Sequence, residues 1–543
     1  MRGKASTHEH PSVFRRLRTD RGGSVATIFA VSLVPVLIAA GIGLDLTRAL
    51  ASRSNLQDAL DATALALAHL PPSTPQATLD ARARTWLNAN LTDGAAMSSP
   101  SLTVTLSKGQ VVLDASAKVT TTLAAIAGYK EIPIAAHSTV KWGLGRVEVV
   151  MVLDNTGSMA GTKLSRLKSA ARTLVETLED QVAADDPNTL KVGLVPFSTT
   201  VRLSASSSEL NSYRTAPWMT GVMPTQYGDD LFTNDAGAKL TNVNRFSTFS
   251  AIGQSWAGCV ETRPAPYDVQ DTAPSSGTPA TLFVPYFAPD EPDSRAMKKS
   301  GSGNSYYSSE NDYLDDERSD AQAQAKVGSN QLARWRYMQG YSGKYDEAVS
   351  SSHINAGRGP NAGCTMQPLL RLTTNMTTVK NRISAMTAVG NTNIPVGLVW
   401  GWRLLSPNLP FSDGAPYSAA ETKKFLVLLT DGDNVYGDSD NPSNSLYTAL
   451  GYAWQSRLAG ITVNASQSSR ESAMDARMGV LCGNIKNAGI TVYVVRIDVS
   501  GKAPASLSGC ASSEDKFYDI DSSGLADAFA NIAGSIGKLR IAQ

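Results

Sequence analysis

The chain has 543 residues, of which 42% are hydrophobic and 18% charged, with a formal net charge of +1. That length exceeds one ordinary core and predicts two or more domains, while the composition excludes a disordered chain. The near-neutral charge excludes a general nucleic-acid binder, and the five histidines (His8, His10, His69, His137 and His353) show no metal-ligand spacing such as HExxH.

Arg15, Arg16, Arg18 and Arg21 precede the uncharged segment GGSVATIFAVSLVPVLIAAGIGL, Gly22 to Leu44. As a helix it is long enough to cross a hydrocarbon core of about 30 Å, and Pro35 would kink it but is tolerated in a membrane. The positive-inside rule places residues 1–21 in the cytoplasm and everything later outside. A cleaved signal peptide is the rival reading, with a small-residue site at Ala49-Leu50-Ala51. The apolar run exceeds a usual signal core, and Asp45 and Arg48 intervene before that site. The expectation is an uncleaved transmembrane helix over 22–44.

After it, DLTRALASRSNLQDALDATALALA is rich in Ala and Leu and lacks Gly and Pro, so one long helix is predicted from about Gly23 to Leu70. Pro71-Pro72 ends it, and a second helix is expected over Gln76 to Leu91. LTVTLSKGQVVLDASAKVTTTL alternates apolar and polar residues around Lys108-Gly109, a hairpin signal, and IPIAAHSTVKW reads as another strand. Residues 45–142 are therefore expected to form a small α+β module next to the membrane.

From Arg146 the pattern becomes strand (VEVVMVLD), amphipathic helix (LSRLKSAARTLVETLED) and strand (TLKVGLVPFS). Later come KKFLVLLTD, a helix around Met474 to Asn487, the strand ITVYVVRIDV and a closing helix near Leu525 to Leu539. Apolar strands separated by helices predict a doubly wound α/β domain over 146–543, its parallel sheet covered on both faces. Between about 202 and 373 the pattern dissolves into Ser, Gly, Pro, Tyr and Asp, which reads as a long irregular insertion. Its acidic run, Glu310, Asp312, Asp315, Asp316 and Glu317, is expected to be a solvated loop.

Cys259, Cys364, Cys482 and Cys510 lie far apart, without CxxC spacing or histidine partners, which argues against zinc. An even count in an exported chain predicts two disulfides, for which three pairings can be drawn. Cys259–Cys364 with Cys482–Cys510 is the expected one, because each bridge would staple one local region.

In doubly wound sheets, ligands bind at the carboxyl ends of strands near a topological switch point. Three stretches are read as placing oxygen-bearing side chains there: Asp154, Thr156 and Ser158 in DNTGS, Thr392 in GNTNIPVGL, and Asp431 in LLTDGDN. Alternate residues of an extended turn can point the same way, so D-x-T-x-S can present three oxygens together. Two carboxylates with three hydroxyls form a hard donor set suited to Mg²⁺, with Mn²⁺ and Ca²⁺ fitting the same chemistry. Such a cation would offset the cost of burying Asp154 beside Asp431.

This trio resembles the metal-ion-dependent adhesion site of von Willebrand factor type A domains, Asp-x-Ser/Thr-x-Ser, then Thr, then Asp. The resemblance implies that the hydroxyls of Thr156, Ser158 and Thr392 bind metal directly, while Asp154 and Asp431 act through water. It also implies that a partner's carboxylate completes the shell. The family usually has Ser where Thr156 stands, and Asp433 lies outside the motif. RGGSVATIFAVSLVPVLIAAGIGLDLTRALASRSNLQDALDATALALA resembles the N-terminal region of Flp pilus-assembly TadG-like proteins, as do WAGCVETRPAPY, GCTMQPLLRLTTN, VGLVWGWRLLSP, KFLVLLTDGDN and GKLRIAQ. That resemblance implies a single-pass protein of the bacterial inner membrane, with most of the chain in the periplasm. There it would bind other pilus-machinery or envelope proteins. No Glu sits near Ser24 to Phe29, as a prepilin-peptidase substrate would have.

A surface adhesin using the same site is the alternative. A metal-dependent hydrolase is a remote one. LLTDGDN resembles aspartyl-nucleophile phosphatases, but their Asp-x-Asp is absent, since Thr156 follows Asp154 at that spacing. Neither a Ser/His/Asp arrangement nor a nucleophilic Cys is evident, so the reading is a binding protein and not an enzyme.

Overall fold

The computed structural model describes residues 24–68, 70, 74–92, 97–107, 110–141, 146–180, 189–224, 231–299, 305–458 and 460–538. The basic segment 1–21, Pro71-Pro72 and the expected hairpin turn Lys108-Gly109 lie outside the described residues. Residues 1–143 and 144–543 form two compact units.

In the first unit, helix α1 spans Ser24–Leu67 with Pro35 inside it. Its early residues, such as Val25, Phe29 and Val34, are exposed apolar side chains all round the helix. From Gly41 onward a buried stripe appears: Asp45, Ala49, Ser52, Leu56, Ala59, Leu60, Thr63, Ala64 and Leu67. Steps of three and four residues along this stripe are the spacing of one helix face. Helix α2 (Gln76–Asn90) buries Leu79, Ala83 and Leu87. Strands β1 (Ser101–Ser107), β2 (Gln110–Thr120) and β3 (Glu131–Lys141) form an antiparallel sheet in that order. Along β2, Val111, Leu113, Ala115, Ala117 and Val119 alternate inward, so one sheet face joins the α1 stripe in a shared core.

The second unit is built on β4 (Arg146–Asp154), α3 (Thr162–Glu179), β5 (Leu190–Phe197), β6 (Leu370–Thr373), α4 (Met376–Ser384), α5 (Ile394–Leu405), β7 (Thr422–Thr430), α6 (Gln467–Asn487), β8 (Thr491–Ile497), β9 (Phe517–Ile520) and α7 (Leu525–Lys538). The sheet order is β6-β5-β4-β7-β8-β9, parallel except for β6, which runs antiparallel at the edge. The sheet is therefore mixed, a common feature of large α/β folds. Strand β4 is buried on both faces. Val149, Met151 and Leu153 join the core containing Leu167 and Leu174 of α3 and Phe529 and Ile532 of α7, whereas Val150 and Val152 join the core containing Leu398 and Trp400 of α5. A Cβ on Gly401 would lie 2.4 Å from Val152 Cγ2, and one on Gly397 would lie 2.6 Å from Phe197 Cγ. Two glycines four residues apart thus let α5 sit directly on the sheet.

The segment between β5 and β6 carries only short helices and two-residue strands, yet it is heavily buried. Phe232, Phe249, Phe283 and Phe287 share a core with Trp400 of α5. The acidic run departs from the expected solvated loop. Glu310, Asp315 and Glu317 are exposed, but Asp316 accepts a hydrogen bond from the Asp293 N–H at 2.8 Å and lies 3.5 Å from the buried Lys344 ammonium. Lys344 also donates to the buried Asp290 at 2.6 Å. Burial pushes the Asp290 carboxyl up to about 7, against the opposing pull of Lys344. Disulfides join Cys259 to Cys364 and Cys482 to Cys510, with sequence separations of 105 and 28.

Candidate metal centre

Strand β4 is followed on one side by β5 and on the other by β7, so the sheet reverses direction of growth between β4 and β7. Asp154 closes β4, and Asp431 follows directly on β7. Both carboxylates therefore stand at the topological switch point, where the strand ends leave a crevice.

Asp154 is 0% exposed. Its Oδ1 accepts the Thr156 N–H at 2.8 Å, and its Oδ2 accepts the Thr430 hydroxyl at 2.8 Å. Both donors are neutral. Burial raises the Asp154 carboxyl to about 6, with the bonds from Thr156 and Thr430 opposing the rise and Asp431 adding to it. The Thr156 and Ser158 hydroxyls lie 3.0 Å apart, and Ser158 donates to Asp431 Oδ1 at 2.7 Å. Four of the expected residues thus form one continuous polar network.

Thr392 has a setting that the sequence did not indicate. It does not follow a strand, and it does not open the helix, because Asn393 caps α5 by accepting the Val396 N–H at 3.2 Å. It lies in the connection between two helices, α4 and α5. Backbone pairing holds that connection against the β4 end, with Val389 N donating to Asn155 O at 2.6 Å and Gly157 N to Gly390 O at 2.9 Å. Gly390 has a φ of +71°, and a Cβ there would lie 2.9 Å from Thr199 Oγ1, so this close approach requires glycine. Thr392 O in turn accepts the Val435 N–H at 2.8 Å, which ties the connection to the loop after β7. Thr392 itself is buried, and Asp433 is exposed.

The donor set fits a hard divalent cation on two grounds. Among the described residues, the fully buried Asp154 carboxylate has no cationic partner of its own, and the buried oxygens Asn155 Oδ1 and Ser198 Oγ, at the ends of β4 and β5, have no hydrogen-bond partner. No cluster of three His, Cys, Asp or Glu side chains suited to a metal occurs among the described residues. Any metal here would therefore depend on hydroxyl oxygens beside the two carboxylates.

The sequence reading missed Lys163. It sits in the first turn of α3, and its ammonium lies 2.7 Å from Asp431 Oδ2, with the carboxylate side chain fully buried and the lysine 29% exposed. It is an internal counter-ion to Asp431, and any metal bound there would have to share that carboxylate with it. Lys163→Met is expected to tighten Mg²⁺ binding by about fivefold, because the metal would no longer have to displace an ion pair worth about 1 kcal/mol. Calorimetric titration of both proteins checks this, and equal affinities would assign Lys163 no such role.

With this geometry in place, residues 23–69 match the family model for Flp pilus-assembly TadE/G-like proteins (Tad), and residues 148–244 match that of the von Willebrand factor type A domain. No curated protein matches the chain. Among solved structures it is similar to the vWF domain of the type V pili tip protein Mfa5 from Porphyromonas gingivalis, at 11% identity over 72% of this chain and 95% of that one, with a TM-score of 0.32. It is also similar to the pilus adhesin RrgA from Streptococcus pneumoniae, at 10% identity and a TM-score of 0.30, covering 81% of this chain but 49% of that one. A third likeness is to proximal thread matrix protein 1 from the mussel byssus, with a zinc-occupied MIDAS motif, at 14% identity over 73% of this chain and 96% of that one, with a TM-score of 0.18. Von Willebrand factor type A domains often bind a divalent metal at such a motif.

Proposed function

Because one chain carries both a Flp pilus-assembly TadE/G-like segment and a von Willebrand factor type A domain, we propose that it is a membrane-anchored envelope protein of the tight-adherence pilus machinery. In this reading residues 22–44 cross the bacterial inner membrane, residues 1–21 stay in the cytoplasm, and the bulk of the chain works in the periplasm. Residues 45–142 form the membrane-proximal module and 146–543 the binding domain. That domain grips a neighbouring pilus or envelope protein through a divalent-metal adhesion site.

One observation carries the binding site: a fully buried carboxylate, Asp154, held only by neutral donors in a network with Thr156, Ser158 and Asp431. Thr156, Ser158, Thr392, Asp154 and Asp431 would hold Mg²⁺, with Mn²⁺ or Ca²⁺ as substitutes. When bound, the ion supplies a positive centre able to accept an acidic side chain from a partner. The chain's own residues orient that centre: Thr430 fixes one oxygen of Asp154, the Thr156 N–H fixes the other, and Gly157 pins the motif to the Thr392 connection.

Crosslinking in cells followed by affinity purification tests this reading. Partner recovery is expected with Mg²⁺ and is expected to fall severalfold with EDTA or in Asp154→Ala. Equal recovery in all three would sink the metal's role. Protection of the domain from a membrane-impermeant reagent in intact cells is expected for a periplasmic protein, and labelling would favour a surface adhesin.

A further inference from the structure

Among the described residues of the first unit outside helix α1, the loop between β2 and β3 carries the most exposed large apolar side chains. Ile126 is 72% exposed and Tyr129 69%, with Leu123 beside them at 38%. Loops that face only water seldom concentrate such side chains within seven residues, and that concentration points to a contact surface.

The loop's attachment says what covers it. Both Asp45 carboxylate oxygens accept the Thr122 N–H, at 3.2 and 3.1 Å, and Oδ2 also accepts the Leu123 and Ala124 N–H groups at 2.7 Å each. Arg48 Nη1 donates to the Thr122 hydroxyl at 3.2 Å. Leu123 packs so tightly on α1 that a Cβ at Gly41 would lie 2.6 Å from Leu123 Cβ. The loop is thus clamped to α1 between Gly41 and Asp45, where the uncharged run ends and the buried stripe begins. At a rise of about 1.5 Å per residue, Gly41 lies only about 6 Å along the helix from Asp45.

Many of the loop's backbone N–H groups are paired within the protein. Besides the three N–H groups taken by Asp45, those of Ile126, Gly128 and Tyr129 bond to Leu123 O, Ala125 O and Ala124 O at 3.0–3.2 Å. The Thr121 hydroxyl donates to Tyr129 O, and Thr121 N donates to Lys130 O at 3.1 Å. Backbone groups paired internally are what lipid contact demands. Exposed Arg48 and Lys130 stand where lipid phosphates would lie, and an aromatic ring such as Tyr129 favours the headgroup level.

We propose that residues 121–130 form an interfacial anchor that inserts Ile126 and Tyr129 into the outer leaflet of the membrane crossed by α1. This rests on the reading of α1 as a membrane span. The anchor would hold the β1–β3 sheet at a fixed height and rotation about α1, so the module would not swing freely on its helix.

Nitroxide labels test it in the full chain reconstituted into phosphatidylethanolamine/phosphatidylglycerol vesicles. The four native cysteines are disulfide-bonded, so single substitutions Ile126→Cys, Tyr129→Cys, Leu33→Cys and Thr105→Cys can be labelled selectively. Thr105 lies toward the opposite end of the β1–β2 pair from the loop. Labels at 126 and 129 are expected to show severalfold lower collision rates with a water-soluble nickel chelate than the label at 105, with oxygen collisions retained. Their depth should be shallower than that of 33. If 126 and 129 match 105 while 33 remains deep, the anchor is wrong and the span stands. If 33 is also in water, the span itself fails and the anchor with it. Protection of 126 and 129 from both nickel and oxygen would mean that protein covers the loop, which likewise overturns the proposal.

Discussion

Asp154→Asn is expected to raise the stability of the metal-free protein at pH 7 while abolishing its response to Mg²⁺. The carboxyl has a folded value of about 6 against an ordinary 3.8, driven by burial. A carboxyl raised in the folded state withdraws stability as it ionises. The loss is absent below about pH 4, develops as the pH climbs towards 6, and reaches on the order of 3 kcal/mol at pH 7. Asparagine removes the charge but can keep both bonds: its Oδ1 accepts the Thr156 N–H, and its amide donates to the Thr430 oxygen. Thr430 can then turn its own proton to Gly432 O, which lies 3.0 Å away. Thermal melts of both proteins in EDTA between pH 4 and 7.5 check this, with the difference between them isolating Asp154 from other buried acids such as Asp290. With excess Mg²⁺ the order should reverse, because only the native carboxylate gains from the ion and ligand binding to the folded state adds stability. A variant less stable than the parent in EDTA at pH 7 would refute this account of the site.

Glu261→Ala is expected to destabilise the second unit by about 3–5 kcal/mol, the cost of breaking a buried ion pair by removing one partner. Glu261 is buried and bonded to Arg245, Arg457 and the Tyr447 hydroxyl. Burial opposes its ionisation, but the two guanidiniums outweigh that and hold its carboxyl below the ordinary range. Removing it takes away the buried carboxylate that the two arginines share. The lesion also cuts a tie between distant parts of the chain, since Arg245 and Glu261 lie between β5 and β6 whereas Tyr447 and Arg457 lie between β7 and α6. Denaturant unfolding followed by circular dichroism checks it. Glu261→Gln, which keeps an acceptor but not the charge, should lose less than alanine. A loss below about 1 kcal/mol for alanine would show that the arginines find other partners.

Strand and helix periodicity placed the elements of the first unit and β4, α3, β5, β7, β8 and α7 of the second, but not the short edge strands β6 and β9 or helix α4. Apolar runs such as VEVVMVLD suit only a strand covered on both faces, and the Ala- and Leu-rich stretch after Asp45 has no breaker. The start of α6 was placed late, because the polar QSSRESA turns carry no apolar stripe and rely on the Ser466 cap, which accepts the Ser469 N–H at 3.2 Å. The segment between β5 and β6 gave no period at all. It buries its side chains through irregular backbone, which leaves no repeating pattern to detect.

What the sequence determined by itself was local: the uncharged run, the strand that stops at Asp154, and the D-x-T-x-S alternation, each set by neighbours a few residues apart. What only the tertiary structure decided was which distant groups meet. The helix–helix connection that carries Thr392 pairs through its backbone with the end of β4, Lys163 meets Asp431 across 268 residues, and Asp45 grips a loop 77–79 residues away. Such meetings depend on how the chain folds back on itself, and covalent spacing does not encode that path in any short window.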